Sequence, residues 1–285
     1  MPHPITVIIA TKNEVQNITK CISSISNEVE RIIVVDSESI DNTQKIALRL
    51  GAEVVNYNIK SNYPKKRQWA LNNCNITSKW TLMLDADEEF TDVLWLEVTR
   101  FLHDDSYNAA FISKGFHFMG RKFKFGGFSH SALILFKTGS ARFENLGEEN
   151  ITDLDMEVHE RVIFHGRSKT LTNALIHNDY KGLTSYIDRH NKYSTWEALI
   201  RWNFLKGGSY GEDAIQPKMF GNTQEFRRFI KFFLFNTSLE PVIWFLYHYF
   251  FRLGFLEGKR GWIACRLRAN YIYDVKAKLI ELAEK

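Results

Sequence analysis

The chain is 285 residues long, with 45% apolar and 25% charged side chains and a net charge of +4. That balance excludes a disordered or fibrous chain and allows one large domain, or a domain with an appendage, around a sizeable core. The mild charge gives no nucleic-acid footprint, and Cys21, Cys74 and Cys265, odd in number and without a Cys-x-x-Cys pair, argue against a disulfide framework or zinc site and fit a reducing cytosol.

The N-terminus passes almost directly into a strand pattern, so no secretory signal is expected. Residues 1–90 then alternate strand and helix. Ile5-Thr6-Val7-Ile8-Ile9-Ala10 reads as a buried strand, Thr11-Lys12-Asn13-Glu14 as a polar turn opening a helix to about Ser24, and Arg31–Asp36 as a second strand. Asp41 is placed to cap a helix over Thr43–Leu50, which Gly51 stops. Glu53–Asn56 is a short third strand, Pro64–Cys74 a helix, and Trp80–Asp85 a fourth strand. This βαβαβαβ order predicts an α/β fold with a mainly parallel central sheet and helices on both faces. It brings the strand ends Thr11, Asp36 and Asp85 to one edge, where open α/β sheets hold their ligands.

That edge lacks the common phosphate signatures. There is no Gly-x-x-x-x-Gly-Lys-Ser/Thr, and neither a Gly-x-Gly-x-x-Gly nor a Gly-rich basic loop follows the first strand. Negative charge on a ligand must then be met by a metal ion and basic side chains. In Asp85-Ala86-Asp87 two carboxylates stand one residue apart where an apolar strand breaks. Both can approach one hard cation, magnesium or manganese, which shares its other positions with substrate phosphates. Taken alone the pattern is more often a solvated acidic loop, and its context decides. Lys65, Lys66 and Arg67 open a helix whose N-terminus adds backbone donors and a favourable dipole; the alternative is a basic surface turn.

Four segments in register supply the context: Ile8-Ile9-Ala10-Thr11-Lys12-Asn13-Glu14, Val34-Val35-Asp36-Ser37-Glu38-Ser39-Ile40-Asp41-Asn42-Thr43, Lys66-Arg67-Gln68-Trp69-Ala70-Leu71 and Leu84-Asp85-Ala86-Asp87-Glu88. In order and spacing they resemble the donor-binding half of family-two glycosyltransferases with the GT-A fold. The likeness is strongest to the bacterial subgroup that builds lipopolysaccharide core or other surface glycans, including the core β-glucosyltransferase type. The resemblance implies a Rossmann-like GT-A domain. In it Thr11 and Glu14 line the nucleotide pocket, Asp36 pairs with the base, and Asp85 and Asp87 serve the metal and the donor sugar-diphosphate; Asn13, Ser37 and Ala86 within these motifs, and Lys66 and Arg67 at the helix start, are further candidates for binding the donor. It also implies Mg2+ or Mn2+ as cofactor and, because Asp36 suits a pyrimidine, a uridine diphosphate sugar as donor.

Transfer with inversion needs a carboxylate that takes the acceptor hydroxyl proton. Met156-Glu157-Val158-His159-Glu160-Arg161-Val162 is its best source. The Val-His-Glu core matches the subgroup's motif, which implies Glu160 as general base, with Glu157 the lesser candidate and His159 a positioning neighbour. The plain alternative pairs Glu160 with Arg161 or Arg167 on a strand. Strands are expected over Ala109–Phe118 and Ser131–Phe136, with His130 either near the site or structural. A strand over Lys169–Asn178 contains His177, and the subgroup carries a histidine there as third ligand of the cation beside Asp85 and Asp87. The alternative is a buried histidine bonded to Asp179.

A helix over Ser185–Leu205 leads into Gly207–Gly221, a lid over the substrates or a simple connection. Domain limits follow: 1–205 catalytic, divided into 1–90 and 91–205, then 206–225 as lid or loop, then 226–285. This last region holds eleven Lys and Arg against five Asp and Glu and is rich in aromatic side chains. It is expected to be helical and to lie on a membrane rather than cross it. A partner protein or a homo-oligomer contact is the rival use of the same surface. On this reading the protein is cytoplasmic, held peripherally at the inner membrane, with a lipid-linked oligosaccharide or lipopolysaccharide core as acceptor. Two other classes share the sheet and carboxylates, a sugar nucleotidyltransferase and a non-catalytic nucleotide-sugar-binding scaffold.

Overall fold

Four runs of apolar and β-branched residues build the first half of the sheet. A computed structural model describes residues 2–59, 64–145, 161–208, 215–220, 223–235 and 237–284. In it β1 (His3–Thr11), β2 (Val29–Asp36), β3 (Glu53–Asn56) and β4 (Trp80–Asp85) lie parallel in the order β3-β2-β1-β4. The side chains of β1, β2 and β4 are mostly buried on both faces, as a helix-covered parallel sheet requires, whereas β3, at the edge, is only partly covered. The crossovers carry α1 (Ile18–Ser23), α2 (Thr43–Arg49) and α3 (Lys66–Asn73). Gly51, at φ 84°, ends the α2 segment in a conformation that suits glycine. The helix expected from Glu14 begins only at Ile18: Asn13 is left-handed at φ 55°, and the Asn17 and Ile18 N–H groups both converge on Glu14 O in a turn that precedes the regular helix.

Beyond β4 the sheet is mixed. The remaining strands are β5 (Glu88–Glu89), β6 (Ala109–Phe118), β7 (Arg121–Lys122), β8 (His130–Lys137), β9 (Ala141–Phe143), β10 (Val162–Phe164) and β11 (Ser168–His177). The order continues β4-β8-β6-β11-β5, with β8 antiparallel to both neighbours, β6 parallel to β11, and β5 antiparallel at the edge. Helix α4 (Asp92–Leu102) starts at Thr91, whose Oγ1 accepts the Leu94 N–H, and buries Leu94, Trp95, Val98 and Phe101. Phe101 packs edge-on against Trp80 at 5.2 Å between centroids, tying this helix to β4.

The chain divides into two compact units. One comprises Met1–Lys122, Ser129–Phe143 and Val162–Gly182; the other comprises Phe123–Phe128, Glu144–Arg161 and Leu183–Lys285. The second unit holds α5 (Gly182–Gly207, from its second residue), α6 (Thr223–Phe235), α7 (Glu240–Leu246), a π-turn over Tyr247–Phe251, a 3-10 turn over Gly254–Glu257 and α8 (Gly258–Glu284). Its interior is unusually polar. Arg201 of α5 bonds to Glu197 Oε1 and to both carboxylate oxygens of Glu240, and Tyr271 of α8 donates to Glu197 Oε2 at 2.5 Å. A second buried pair joins Arg228 of α6 to Glu144, whose carboxylate also accepts the N–H groups of Arg161 and Ile215. Among the described residues no helix is long and apolar enough to cross a membrane. Of the span expected as a lid, only 207–208 and 215–220 are among the described residues.

Candidate active site

Strand register sets Thr11 beside Asp36 and Ala10 beside Asp85, so the polar ends of β1, β2 and β4 meet at one edge. Asp36 is fully buried and accepts hydrogen bonds from Thr11 Oγ1 (2.7 Å), Ser39 N (2.8 Å), Ser39 Oγ (2.6 Å) and Gln44 Nε2 (2.7 Å). Burial pushes its carboxyl up, but the bonds from Ser39, Gln44 and Thr11 outweigh burial and hold it below the usual value. Both oxygens are committed to the chain itself, so a nucleotide base can reach Asp36 only by exchanging one of these bonds.

The connections after β1 and β2 are sewn together. Asn13, Glu14 and Val15 donate their N–H groups to Ser39 Oγ, Thr43 Oγ1 and Asp41 Oδ2, and the Ile40 N–H donates back to Asn13 Oδ1. Asn13 and Glu38 take left-handed φ values of 55° and 53° in this arrangement. Glu14 faces away from these bonds: its Oε1 lies 2.6 Å from Lys181 Nζ and its Oε2 accepts from Asn17 Nδ2. Ser37 Oγ is buried at the same edge and has no hydrogen-bond partner among the described residues, a polar atom that a ligand can engage.

Asp85 is gripped from two sides. Arg67 Nη2, on α3, pairs with Oδ1, and Lys114 Nζ, on β6, lies 2.9 Å from Oδ2. The same ammonium is 2.5 Å from Glu88 Oε1, while Glu88 Oε2 accepts the Asp85 N–H at 3.0 Å. Burial opposes ionisation of Asp85, yet Arg67 and Lys114 hold its carboxyl far below the usual range. Glu88 is pushed up by burial and by Asp85 and Asp87, against the pull of Lys114.

His177 reaches this cluster because β11 is pinned out of step. Glu97 of α4 accepts the N–H groups of Thr172 and Asn173, at a bulge between Thr170 and Ala174 where the register against β6 advances by two residues. His177 then lies opposite Phe116 on one side and Glu88 on the other. Its Nε2 stands 3.4 Å from Asp87 Oδ2. Burial works against a charged imidazole here, but Asp87 and Glu88 prevail and push its pKa up to about 9.

Among the described residues no three His, Cys, Asp or Glu side chains are grouped to hold a metal ion. Asp87 and His177 supply one oxygen and one nitrogen donor. That pair fits a magnesium or manganese ion that draws its remaining ligands from water and a diphosphate. Asp85 joins such a set only by releasing Arg67 or Lys114.

A family model described as glycosyl transferase family 2 matches residues 6–154, just over half of the chain and all of these strand ends except His177. The chain belongs to glycosyl transferase family 2. It is similar to an uncharacterized glycosyltransferase of Rickettsia typhi (strain ATCC VR-144 / Wilmington), 27% identical over 293 residues, or 99% of this chain and 88% of the relative. A second, from Rickettsia felis (strain ATCC VR-1525 / URRWXCal2), is 28% identical over 97% of this chain and 89% of its own. Among solved structures, glucosyl-3-phosphoglycerate synthase from Mycobacterium tuberculosis in complex with Mn2+, uridine diphosphate and glucosyl-3-phosphoglycerate is 25% identical. It covers 41% of this chain and 45% of its own at a TM-score of 0.33, a local likeness only.

In this glycosyltransferase one sheet edge carries Thr11, Asp36, Ser37, Asp85, Ala86, Asp87 and His177, with Arg67 reaching it from α3. Lys66 is buried there, its Nζ donating to Thr11 O at 2.9 Å. His130 opens β8 in register with Lys114 and is exposed. Glu157, His159 and Glu160 lie outside the described residues. The sequence reading missed Lys114, Lys181 and Glu97. A signal for Lys114 was present: a lysine inside an apolar strand, followed by Gly115, where a Cβ would stand 2.8 Å from Leu175 O. Lys114→Met is expected to lower stability by about 3–5 kcal/mol, because it leaves the buried Glu88 carboxyl without its lysine and Asp85 with Arg67 alone. Adding Glu88→Gln should recover part of that loss. Urea unfolding reads both, and an unchanged midpoint for the single variant would remove Lys114 from this account.

Proposed function

We propose that this enzyme transfers a sugar, with inversion, from a nucleoside diphosphate donor, uridine diphosphate by default, to a hydroxyl of a lipid-linked glycan of the lipopolysaccharide-core type. The observation that carries the reading is the pairing of Asp87 with His177 beside an Asp85 held by Arg67 and Lys114. A divalent cation held by Asp87 and His177 would supply neutralisation of the leaving diphosphate. Arg67 adds positive charge beside it, and Ser37 Oγ, unpartnered among the described residues, is a donor for the nucleotide. The acceptor oxygen attacks the anomeric carbon as the bond to the diphosphate breaks, and the acceptor proton passes to a carboxylate, Glu160 by its motif. Such an acceptor places the enzyme in the cytoplasm at the inner membrane.

The test uses purified full-length protein, manganese and a panel of nucleotide sugars with membrane-extracted glycolipid as acceptor. Glu160→Gln is expected to reduce transfer by about 10²–10⁴-fold, the usual worth of a positioned base, with donor affinity unchanged by calorimetry. Transfer at the wild-type rate would remove Glu160 from the mechanism and turn attention to Glu157. Pyrophosphate release from a nucleoside triphosphate and a sugar phosphate would overturn the reading in favour of a nucleotidyltransferase.

A further inference from the structure

The helical unit carries a surface that the transfer reaction does not use. Between Leu239 and Trp262, α7, the π-turn, the 3-10 turn and the first turn of α8 hold Leu246, Phe250, Phe251, Phe255, Leu256 and Trp262 at 43–79% exposure. Scattered apolar residues are normal on a surface, but a concentration like this in one short segment marks a contact.

Its ordering is firm. Gly254 and Gly261 bring the two arms of this helical hairpin into backbone contact, since a Cβ on Gly261 would lie 2.0 Å from Gly254 O. The segment over Phe123–Phe128 holds the turn from outside. Glu257 Oε1 accepts the N–H groups of Lys124 (2.6 Å) and Phe125 (2.9 Å), the Gly126 N–H donates to Arg252 O at 2.7 Å, and His248 Nδ1 stands 2.6 Å from Gly126 O. Trp262 packs edge-on against Phe245 and Tyr249 at 5.1 and 5.3 Å while about half of it remains exposed. These apolar side chains are therefore displayed by a rigid tip.

The charge pattern identifies what the tip meets. From Leu239 to Tyr273 the only acidic residues are Glu240 and Glu257, and both are buried at 1% and 3% exposure, one in the Arg201 network and one under the turn. Arg252, Lys259, Arg260 and Arg266 are exposed in the same span. The surface is thus apolar and cationic with no acidic side chain on it. A two-fold contact with a second copy sets the same patch against itself and places these cations together, which is unfavourable. An anionic lipid surface matches both features, with acyl chains for the aromatic tip and headgroups for the basic side chains. The helical stretch Glu240–Phe251 spans about 18 Å at 1.5 Å per residue, short of the roughly 30 Å hydrocarbon layer, so insertion is shallow.

We infer that Leu239–Trp262 forms a preformed wedge that docks this enzyme onto anionic membrane. The inference rests on the lipid-linked acceptor reading and deepens it by naming the surface that meets the lipid. The full chain is sedimented with vesicles of phosphatidylcholine alone and of phosphatidylcholine mixed with phosphatidylglycerol. Binding to the mixed vesicles only is expected. Lys259→Gln/Arg260→Gln should weaken it about thirtyfold at low salt, taking ~1 kcal/mol for each basic residue near the surface. Phe251→Ser/Leu256→Ser should weaken it at least about tenfold.

Quenching of tryptophan emission by brominated lipid gives a second readout on the otherwise unaltered protein, with the wild-type signal lost in Trp262→Phe. Manganese-dependent binding of uridine diphosphate is measured on every sample. If it persists while wild type and variants sediment alike or not at all, the wedge is wrong and the transfer reading stands. Light scattering that shows dimers dispersed by the same substitutions would overturn the lipid assignment in favour of a second copy.

Discussion

Asp87→Asn is expected to reduce sugar transfer by about 10²–10³-fold, in the range seen when one preorganised electrostatic group is removed from a reaction site. The substitution keeps size, removes the charge and turns one acceptor oxygen into a donor amide. In the metal-free protein that charge is neutralised by His177, whose pKa of about 9 makes it an imidazolium at neutral pH. A cation must therefore displace a proton from His177. Manganese affinity should rise with pH toward about 9, with close to one proton released per ion, and calorimetry in buffers of different ionisation enthalpy counts that proton. In Asp87→Asn both the affinity and the proton release should fall. Adding His177→Gln should cost much less than it does alone, since the two groups act as one unit. Unchanged manganese affinity in Asp87→Asn would dismiss the Asp87–His177 pair as the metal site.

Arg201→Met is expected to destabilise the helical unit by about 3–5 kcal/mol, as removal of one partner from a buried ionic network does. Arg201 is 3% exposed, and burial that disfavours its charge is outweighed by Glu197 and Glu240, which hold its pKa above the usual value. Without the guanidinium, Glu240 retains Lys276 at 3.5 Å and Glu197 retains the Tyr271 hydroxyl among the described residues. The triple variant Arg201→Met/Glu197→Gln/Glu240→Gln should regain much of the loss, because it leaves no buried charge uncompensated. Urea denaturation followed by circular dichroism separates these outcomes. A single-variant loss below about 1 kcal/mol would show that water reaches the network and that it contributes no more than a surface pair.

The first half of this protein was legible because its signals are local. The apolar runs at Ile5–Ala10, Arg31–Asp36 and Trp80–Asp85 need only a period and a length to read, and each ends within a few residues of its expected limit. The mixed half was less so. Helix α4 escaped notice although Thr91 and Asp92 are good opening residues. Lys114 and Glu97 escaped for a deeper reason. Their roles depend on a sheet order and a two-residue bulge that bring sequence-distant groups together, and no periodicity encodes either. His177 was legible because it closes a strand where the resembling subgroup carries a histidine, while its placement by Asp87 depends on Glu97 of α4 pinning β11.

The sewing of residues 13–15 to residues 39–43 has a consequence for ligand choice. Two loops that look independent along the chain form a single block, so neither can swing to admit a bulkier partner without breaking the other's bonds. Discrimination at this edge must then come from fixed shape and a few side-chain atoms such as Ser37 Oγ. A change of preference during evolution would be made by exchanging those atoms, with the backbone left where it is.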